Sequence, residues 1–337
     1  MIDDYKTAIV MAVYKPNPEI FFQQLLSIKH QTYSNFICFC LSDGPHNGLF
    51  TRTSEKIADD RFRFIDSEIK VGFYDNFKRG LSLVTDEFDF IALSDQDDVW
   101  HPNNLEKKIS HALQTSAELV YSDARLIDEH NKLIAHSLFK YSDLPSKTSK
   151  TDILLVNSLF GMSMVFTSRI LKFALPFPPK NNVYMSYHDW WLGIIAISMA
   201  KVSFLEEATV DYRQHINNLV GSGMQRTAIR KFRTCLRCVV IYPFYPKYSI
   251  TRYCKRNRLY KDLQKHLMRF NKKQEKLKNL KITFQDFKRI LKGKNITLIA
   301  FCWLMLLAQA YLGFKPTRKM ALRIYRRVKL DRNFMNT

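Results

Sequence analysis

Apolar residues in the first two hundred positions follow two rhythms, and their alternation predicts the fold. Residues 7–13 are a continuous apolar run that stops at Tyr14-Lys15-Pro16-Asn17-Pro18, the pattern of a buried strand closed by a turn. From 20 to 31 the spacing becomes helical, with Phe21, Leu25 and Ile28 on one stripe. Strands are predicted at 35–41 and 62–65, a helix closing near 56–59 and another over 76–84, and then a buried strand at 88–93. Strands at 118–123 and 161–166, an apolar helix from 188 to about 199, and strand-like stretches at 202–205 and 209–215 complete the series. Strands alternating with helices imply βαβ units, so the expected class is α/β with a mostly parallel sheet flanked by helices.

Polar residues stop these strands at comparable places: Tyr14 after the first, Asp43 after the second, Asp95 after the strand at 88–93. Ligands of open α/β sheets bind outside the carboxyl ends of strands, so the three stops predict one site on one sheet edge. Asp95, Asp97 and Asp98 crowd into four residues there. Carboxylates this close repel unless something positive neutralises them, and a divalent cation carrying a nucleotide diphosphate meets that need. Local readings stand beside this one. Asp97 and Asp98 could cap a helix beginning near Pro102, and Asp189 could cap the helix that it opens. Asp43 before Gly44-Pro45 could be turn chemistry alone. Of Trp190 and Trp191, one is expected in the core and the other toward a cleft.

Composition changes the picture only in the last third. The 337 residues carry a net charge of +21. Residues 1–220 hold 22 Lys and Arg against 27 Asp and Glu, whereas residues 221–337 hold 30 against 4. Two domains are therefore expected, divided near 220. Residues 296–314 contain no charge and are flanked by Lys292, Lys294, Lys315, Arg318 and Lys319. Basic residues at both ends sit badly with a span, given the positive-inside rule. An interfacial helix or re-entrant hairpin is the first expectation, a single span the second and a buried core helix the third. Six cysteines form no disulfide framework; Cys38 and Cys40 read as core residues on one strand face, and Cys235 with Cys238 lacks the second pair a zinc site needs. Free thiols and the lack of a leader pattern point to the cytosol.

Several segments, in order, resemble glycosyltransferase family 2 enzymes of the GT-A (Rossmann-like) fold, close to the bacterial rhamnosyltransferase-like branch. The likeness covers about residues 5–220. It rests on residues 10–16, Gln31-Thr32-Tyr33, residues 41–44 and 72–77, Ser94 to Trp100 with Pro102, His188-Asp189-Trp190-Trp191-Leu192, and Tyr212-Arg213-Gln214-His215. The resemblance implies that Asp43 and the segment Ala12-Val13-Tyr14 hold the nucleotide base. It makes Asp95 and Asp97 the DxD pair, Asp95 toward ribose and metal and Asp97 on the metal, a divalent Mn2+ or Mg2+. It places Asp189 as catalytic base, where Glu-Asp is usual and His188 is a departure. His215 either reaches the metal or diphosphate or simply hydrogen-bonds in the pocket. Trp100, His188 and Trp190 are candidates for the donor or acceptor pocket.

The implied activity is an inverting, metal-assisted single displacement. A sugar moves from a nucleotide-diphosphate donor, dTDP-rhamnose first and otherwise a UDP-hexose, to a saccharide on a polyprenyl diphosphate lipid. Such transfer builds a bacterial surface polysaccharide, an O-antigen or capsule. The basic helical region 221–337 would associate with the anionic leaflet at the cytoplasmic face of the inner membrane, at about 1 kcal/mol per Lys or Arg near the surface. No nucleic-acid partner is expected, for want of a recognised motif. The alternatives are an inactive nucleotide-sugar-binding protein and, behind it, a basic nucleic-acid-binding protein. Acceptor choice is expected from residues 130–187, whose prolines mark irregular loops.

Overall fold

Strand β1 (Thr7–Val13) buries every side chain except Ala12, which is partly covered. It has a parallel neighbour on each side, β2 (Phe36–Ser42) and β4 (Phe90–Ser94), with Val13 opposite Ser42 and Met11 opposite Ser94. β3 (Phe62–Ile65) joins β2 in parallel at the sheet edge and is buried only at Phe62, whereas β1 and β4 are buried almost throughout. An inner parallel strand is covered on both faces and so reads as unbroken apolar sequence. The computed structural model describes residues 2–142, 144, 146, 148, 153, 157–178 and 187–214. His215, the expected boundary at 220 and all of 221–337, with Cys235, Cys238 and the uncharged segment, lie outside the described residues.

Helix α1 (Pro18–Lys29) starts where the Asn17 side chain accepts from the backbone N–H groups of Glu19 and Ile20, and Pro18 needs no such partner. Its buried stripe is Phe21, Gln24, Leu25 and Ile28, the predicted apolar set with one glutamine added. α2 (Leu49–Ile57) follows β2. α3 (Phe73–Leu81) starts three residues earlier than the periodicity predicts, because Gly72 turns the chain at φ 89°. Gly80 lets α3 lie directly on the sheet: a methyl there would sit 2.5 Å from Val10 Cγ1 and 2.8 Å from Leu41 Cδ1.

The second half departs from the parallel plan. The sheet order is β3-β2-β1-β4-β8-β6-β9-β5, where β5 is Val99–Trp100, β6 Leu119–Ile127, β8 Met164–Thr167 and β9 Val202–Arg213; β7 (Leu133–Ala135) pairs with β6. β8 lies antiparallel to both β4 and β6, β9 is parallel to β6, and β5 is antiparallel to β9. The expected α/β layering holds, but parallel pairing is confined to β3-β2-β1-β4 and to β6 with β9. Helices α4 (Asn104–Thr115), α5 (Leu138–Tyr141), α6 (Ser168–Ala174) and α7 (His188–Met199) complete the described elements.

Two local expectations change. Residues 161–163 form a 3-10 turn before β8 instead of part of a strand. The stretches at 202–205 and 209–213 are joined in one strand, β9, in which exposed Glu206 and Glu207 break the apolar pattern and are skipped by the pairing with β6. The register against β6 shifts at Ser122 to Arg125 to absorb them, as β-bulges do. Cys38 and Cys40 are buried on one face of β2 with their sulfurs 3.8 Å apart, as expected. Among the described residues no helix is long and apolar enough to cross a membrane.

Candidate active site

Parallel pairing brings the carboxyl ends of β1, β2 and β4 to one edge, so Tyr14, Asp43 and Asp95 emerge together. A cavity of about 1000 Å³ opens there. Ala12, Val13, Tyr14, Asp43, Asp95, Asp97, His188, Asp189 and Trp190 all line it, so the strand ends and the start of α7 share one site.

The nucleotide-side candidates are held by residues that the sequence does not mark. Gln96, between the two carboxylates, clasps the Tyr14 backbone: its Oε1 accepts from Tyr14 N at 2.7 Å and its Nε2 donates to Tyr14 O at 3.1 Å. That clasp ties the end of β1 to the acidic loop. Lys70 Nζ donates to the Tyr14 hydroxyl at 2.6 Å and lies 3.9 Å from its ring centroid. The hydrogen bond from Lys70 pulls the Tyr14 hydroxyl below its ordinary pKa. Asp43 Oδ1 accepts from Val71 N at 2.6 Å and Gly72 N at 2.9 Å, which anchors the loop entering α3. The local turn chemistry read for Asp43 is not what holds its side chain, whose two partners lie 28 and 29 positions on, and the residue lines the cavity.

The acidic loop sorts its three carboxylates. Burial first, then the Asp97 and Asp189 charges, raise Asp95 to about 7. Asp98 is fully buried and absent from the cavity wall; its Oδ1 accepts from Arg213 N at 3.0 Å. Burial and the Asp97 and Asp95 carboxylates push its pKa well up. Arg213, at the end of β9 and fully buried, is the hub of this corner. Its Nε donates to Asp97 O at 2.7 Å, its Nη1 to Asp128 O at 3.3 Å, and its Nη2 to Gln23 Oε1 at 3.2 Å. A guanidinium with five donors suits several backbone and side-chain oxygens at once. Arg213 lay within a quoted motif, but only the fold reveals this job.

On the α7 side, Asp189 Oδ1 accepts from Trp190 N at 2.7 Å and Oδ2 from Gly161 N at 3.2 Å. The helix cap is Tyr187, so Asp189 sits in the first turn, where the helix dipole favours a carboxylate. Burial outweighs these hydrogen bonds and raises Asp189 to about 6. Trp190 donates its indole N–H to Ile153 O at 2.5 Å and faces the cavity. Trp191 is buried and donates to Ala174 O at 2.9 Å, so the pair divides as expected.

Trp100 is the misplaced candidate. It is buried in the core cluster and does not line the cavity. Pairing of β5 with β9, together with a 2.9 Å hydrogen bond between His101 Nε2 and Asp211 Oδ1, turns its indole inward. His215 lies outside the described residues.

Asp95 and Asp97 are the two carboxylates of the acidic loop that line the cavity, beside Asp43, Glu129 and Asp189. Among the described residues no three His, Cys, Asp or Glu side chains converge as metal ligands. Two hard oxygens on one wall fit Mg2+ or Mn2+ shared with phosphate oxygens, and do not make a closed structural site.

Residues 8–172 match the family model described as Glycosyl transferase family 2. The chain is 27% identical over 200 residues to the Escherichia coli UDP-Glc:alpha-D-GlcNAc-diphosphoundecaprenol beta-1,3-glucosyltransferase WfgD, covering 58% of this chain and 71% of that protein. It is 26% identical over 227 residues to the Escherichia coli O-antigen biosynthesis glycosyltransferase WbnJ, covering 64% and 83%. Its fold matches S. aureus TarS 1-349 in complex with UDP-GlcNAc at a TM-score of 0.50 and 15% identity, covering 70% of this chain and 66% of that one.

Proposed function

Residues 8–172 belong to glycosyltransferase family 2, and from that premise we propose that the chain transfers a sugar from a nucleotide diphosphate to a lipid-linked saccharide with inversion. The observation that carries this reading is that Asp95, Asp97 and Asp189 share one cavity, with Asp189 near enough to raise the Asp95 carboxyl. Inversion follows from a single displacement: one carboxylate, Asp189, takes the acceptor hydroxyl's proton as that oxygen attacks the anomeric carbon. Asp95 and Asp97 would hold a divalent cation, whose chemistry is neutralisation of the departing diphosphate. Tyr14, Asp43 and the Gln96 clasp shape the nucleotide end and fix the direction of attack.

A UDP-hexose now stands ahead of dTDP-rhamnose as donor, because the WfgD relative is named for UDP-Glc. By the same likeness, the acceptor is a sugar on a polyprenyl diphosphate for a bacterial surface polysaccharide. The panel that tests this comprises UDP-glucose, UDP-N-acetylglucosamine and dTDP-rhamnose, offered with a GlcNAc-diphospho-lipid and Mn2+. Product with an inverted anomeric centre is expected from at least one donor. Failure of all three, or retained configuration, would sink the proposal.

Residues 1–220 are assigned the chemistry, and residues 221–337, with 30 basic residues against 4 acidic, the cytoplasmic membrane surface. Deleting 222–337 is expected to move the protein from the membrane to the soluble fraction of fractionated cells. A truncated, folded protein that still sediments with membranes contradicts the assignment.

A further inference from the structure

We propose that His188 reads a hydroxyl of the saccharide held beside Asp189: its imidazole offers the cavity one N–H donor and one bare nitrogen that no described residue uses. The inference rests on the glycosyl-transfer reading of this cavity. His188 is 7% exposed, yet neither Nδ1 nor Nε2 has a hydrogen-bond partner among the described residues. Buried polar atoms of folded proteins are nearly always paired, so two orphans on one ring call for a partner beyond the described residues. The ring also lines the cavity that Asp189 and Asp95 line.

The ring is held without using its nitrogens. It stacks on Phe77 of α3 at 3.7 Å between centroids and 17° between planes, and meets Phe73 edge-on at 6.2 Å. At Gly161 a Cβ would stand 3.2 Å from Nε2, so a side chain there would crowd that nitrogen; Nε2 itself has under 1 Å² of exposed surface, and a hydroxyl reaches it only as its neighbours shift. The same glycine's N–H donates to Asp189 Oδ2, which places the orphaned nitrogen and the carboxylate at one backbone corner.

The ligand chemistry follows from the ring's state. Burial drops the His188 pKa to about 3, so the ring is neutral at working pH, with one nitrogen donating and the other accepting. A sugar hydroxyl both donates and accepts, and so bonds whichever nitrogen it meets; the two nitrogens point to different sides of the ring, and one hydroxyl engages one of them. A diphosphate only accepts, would use half of the ring's capacity and would gain no charge from it. The hydroxyl belongs to either the donor's sugar or the acceptor's, and the two sources separate by experiment.

In the full chain, His188→Phe keeps an aromatic ring on Phe77 and deletes both nitrogens, while His188→Gln keeps a donor and an acceptor. Removing orphaned polar atoms from a buried ring does not weaken a fold, so H188F is expected to melt at or above the wild-type temperature. Its kcat/KM for transfer is expected to fall at least about 10-fold, with H188Q recovering part of the loss. Calorimetry then compares the best-used sugar nucleotide of the panel with its nucleoside diphosphate alone. If the hydroxyl is the donor's, H188F erases the extra affinity that the sugar confers. If it is the acceptor's, donor binding is unchanged and the KM for the GlcNAc-diphospho-lipid rises about 10-fold. Wild-type kcat and both KM values in H188F overturn the proposal. So does an H188F that melts well below wild type while H188Q does not, since the nitrogens then serve the fold. Lack of turnover by the wild type across the panel would fall on the reading of the cavity instead; calorimetry with each sugar nucleotide and with the GlcNAc-diphospho-lipid needs no turnover, and H188F affinities equal to wild type for all of them would still overturn the role of His188.

Discussion

Asp189→Asn is expected to cut kcat for glycosyl transfer by about 1,000-fold, within the roughly 100- to 10,000-fold that a positioned general base contributes. The substitution isolates the chemistry because Asn keeps an oxygen for one of the two backbone donors, Trp190 N or Gly161 N, that hold the side chain. A base works only when ionised, and burial sets the Asp189 pKa at about 6. The groups facing it are the Asp95 carboxyl, which it helps to raise, and the neutral His188. Wild-type log kcat/KM should therefore fall with unit slope below pH about 6 and level off above it. The residual rate of Asp189→Asn should lack that limb. The shift has a stability consequence of opposite direction. Between 3.8 and about 6 the unfolded chain loses this proton before the folded one, so stability falls as pH rises across that window. A variant within tenfold of wild type, or a wild-type profile flat from pH 5 to 8, would remove Asp189 from the mechanism.

Asp97→Ala is expected to lower transfer by at least about 100-fold with Mn2+ present, since a Lewis-acid site supplies several kcal/mol of charge stabilisation and a tenfold change is about 1.4 kcal/mol. Chelating divalent cations from the wild type should produce a loss of the same order. The two losses should not add: a chelator given to Asp97→Ala finds little left to remove. That non-additivity distinguishes a metal ligand from a carboxylate that only shapes the loop, where each insult would act separately. Asp97 is suited to this test because Asp98 beside it is spoken for by Arg213 N and absent from the cavity wall. Full activity in Asp97→Ala, or a wild type indifferent to chelation, would end the two-carboxylate metal assignment.

Several of the residues that line the cavity were readable before any fold was known. The apolar run of β1 gives way at Tyr14, that of β2 at Ser42-Asp43 and that of β4 at Ser94-Asp95, because parallel strands covered on both faces favour apolar residues. Asp189 was singled out by the family resemblance, in the first turn of an apolar helix that the sequence itself predicts. The residues that organise these side chains were not. Gln96 reaches Tyr14 across 82 positions, Asp43 reaches Val71 across 28, and Asp98 meets Arg213 across 115. Trp100 was misread for the same reason: a two-residue strand has no periodicity of its own, and its facing is set by β9.

By itself the sequence determined which segments are strands and helices over most of the first two hundred residues, and where polar chemistry interrupts them. Periodicity and strand ends are local consequences of burial, so a linear reading recovers them. Tertiary structure alone decided which carboxylates face the cavity, that β8 enters antiparallel, and that His188 is buried with its nitrogens unspent. Each of those depends on partners brought together from distant positions, and pairing at a distance leaves no local pattern along the chain.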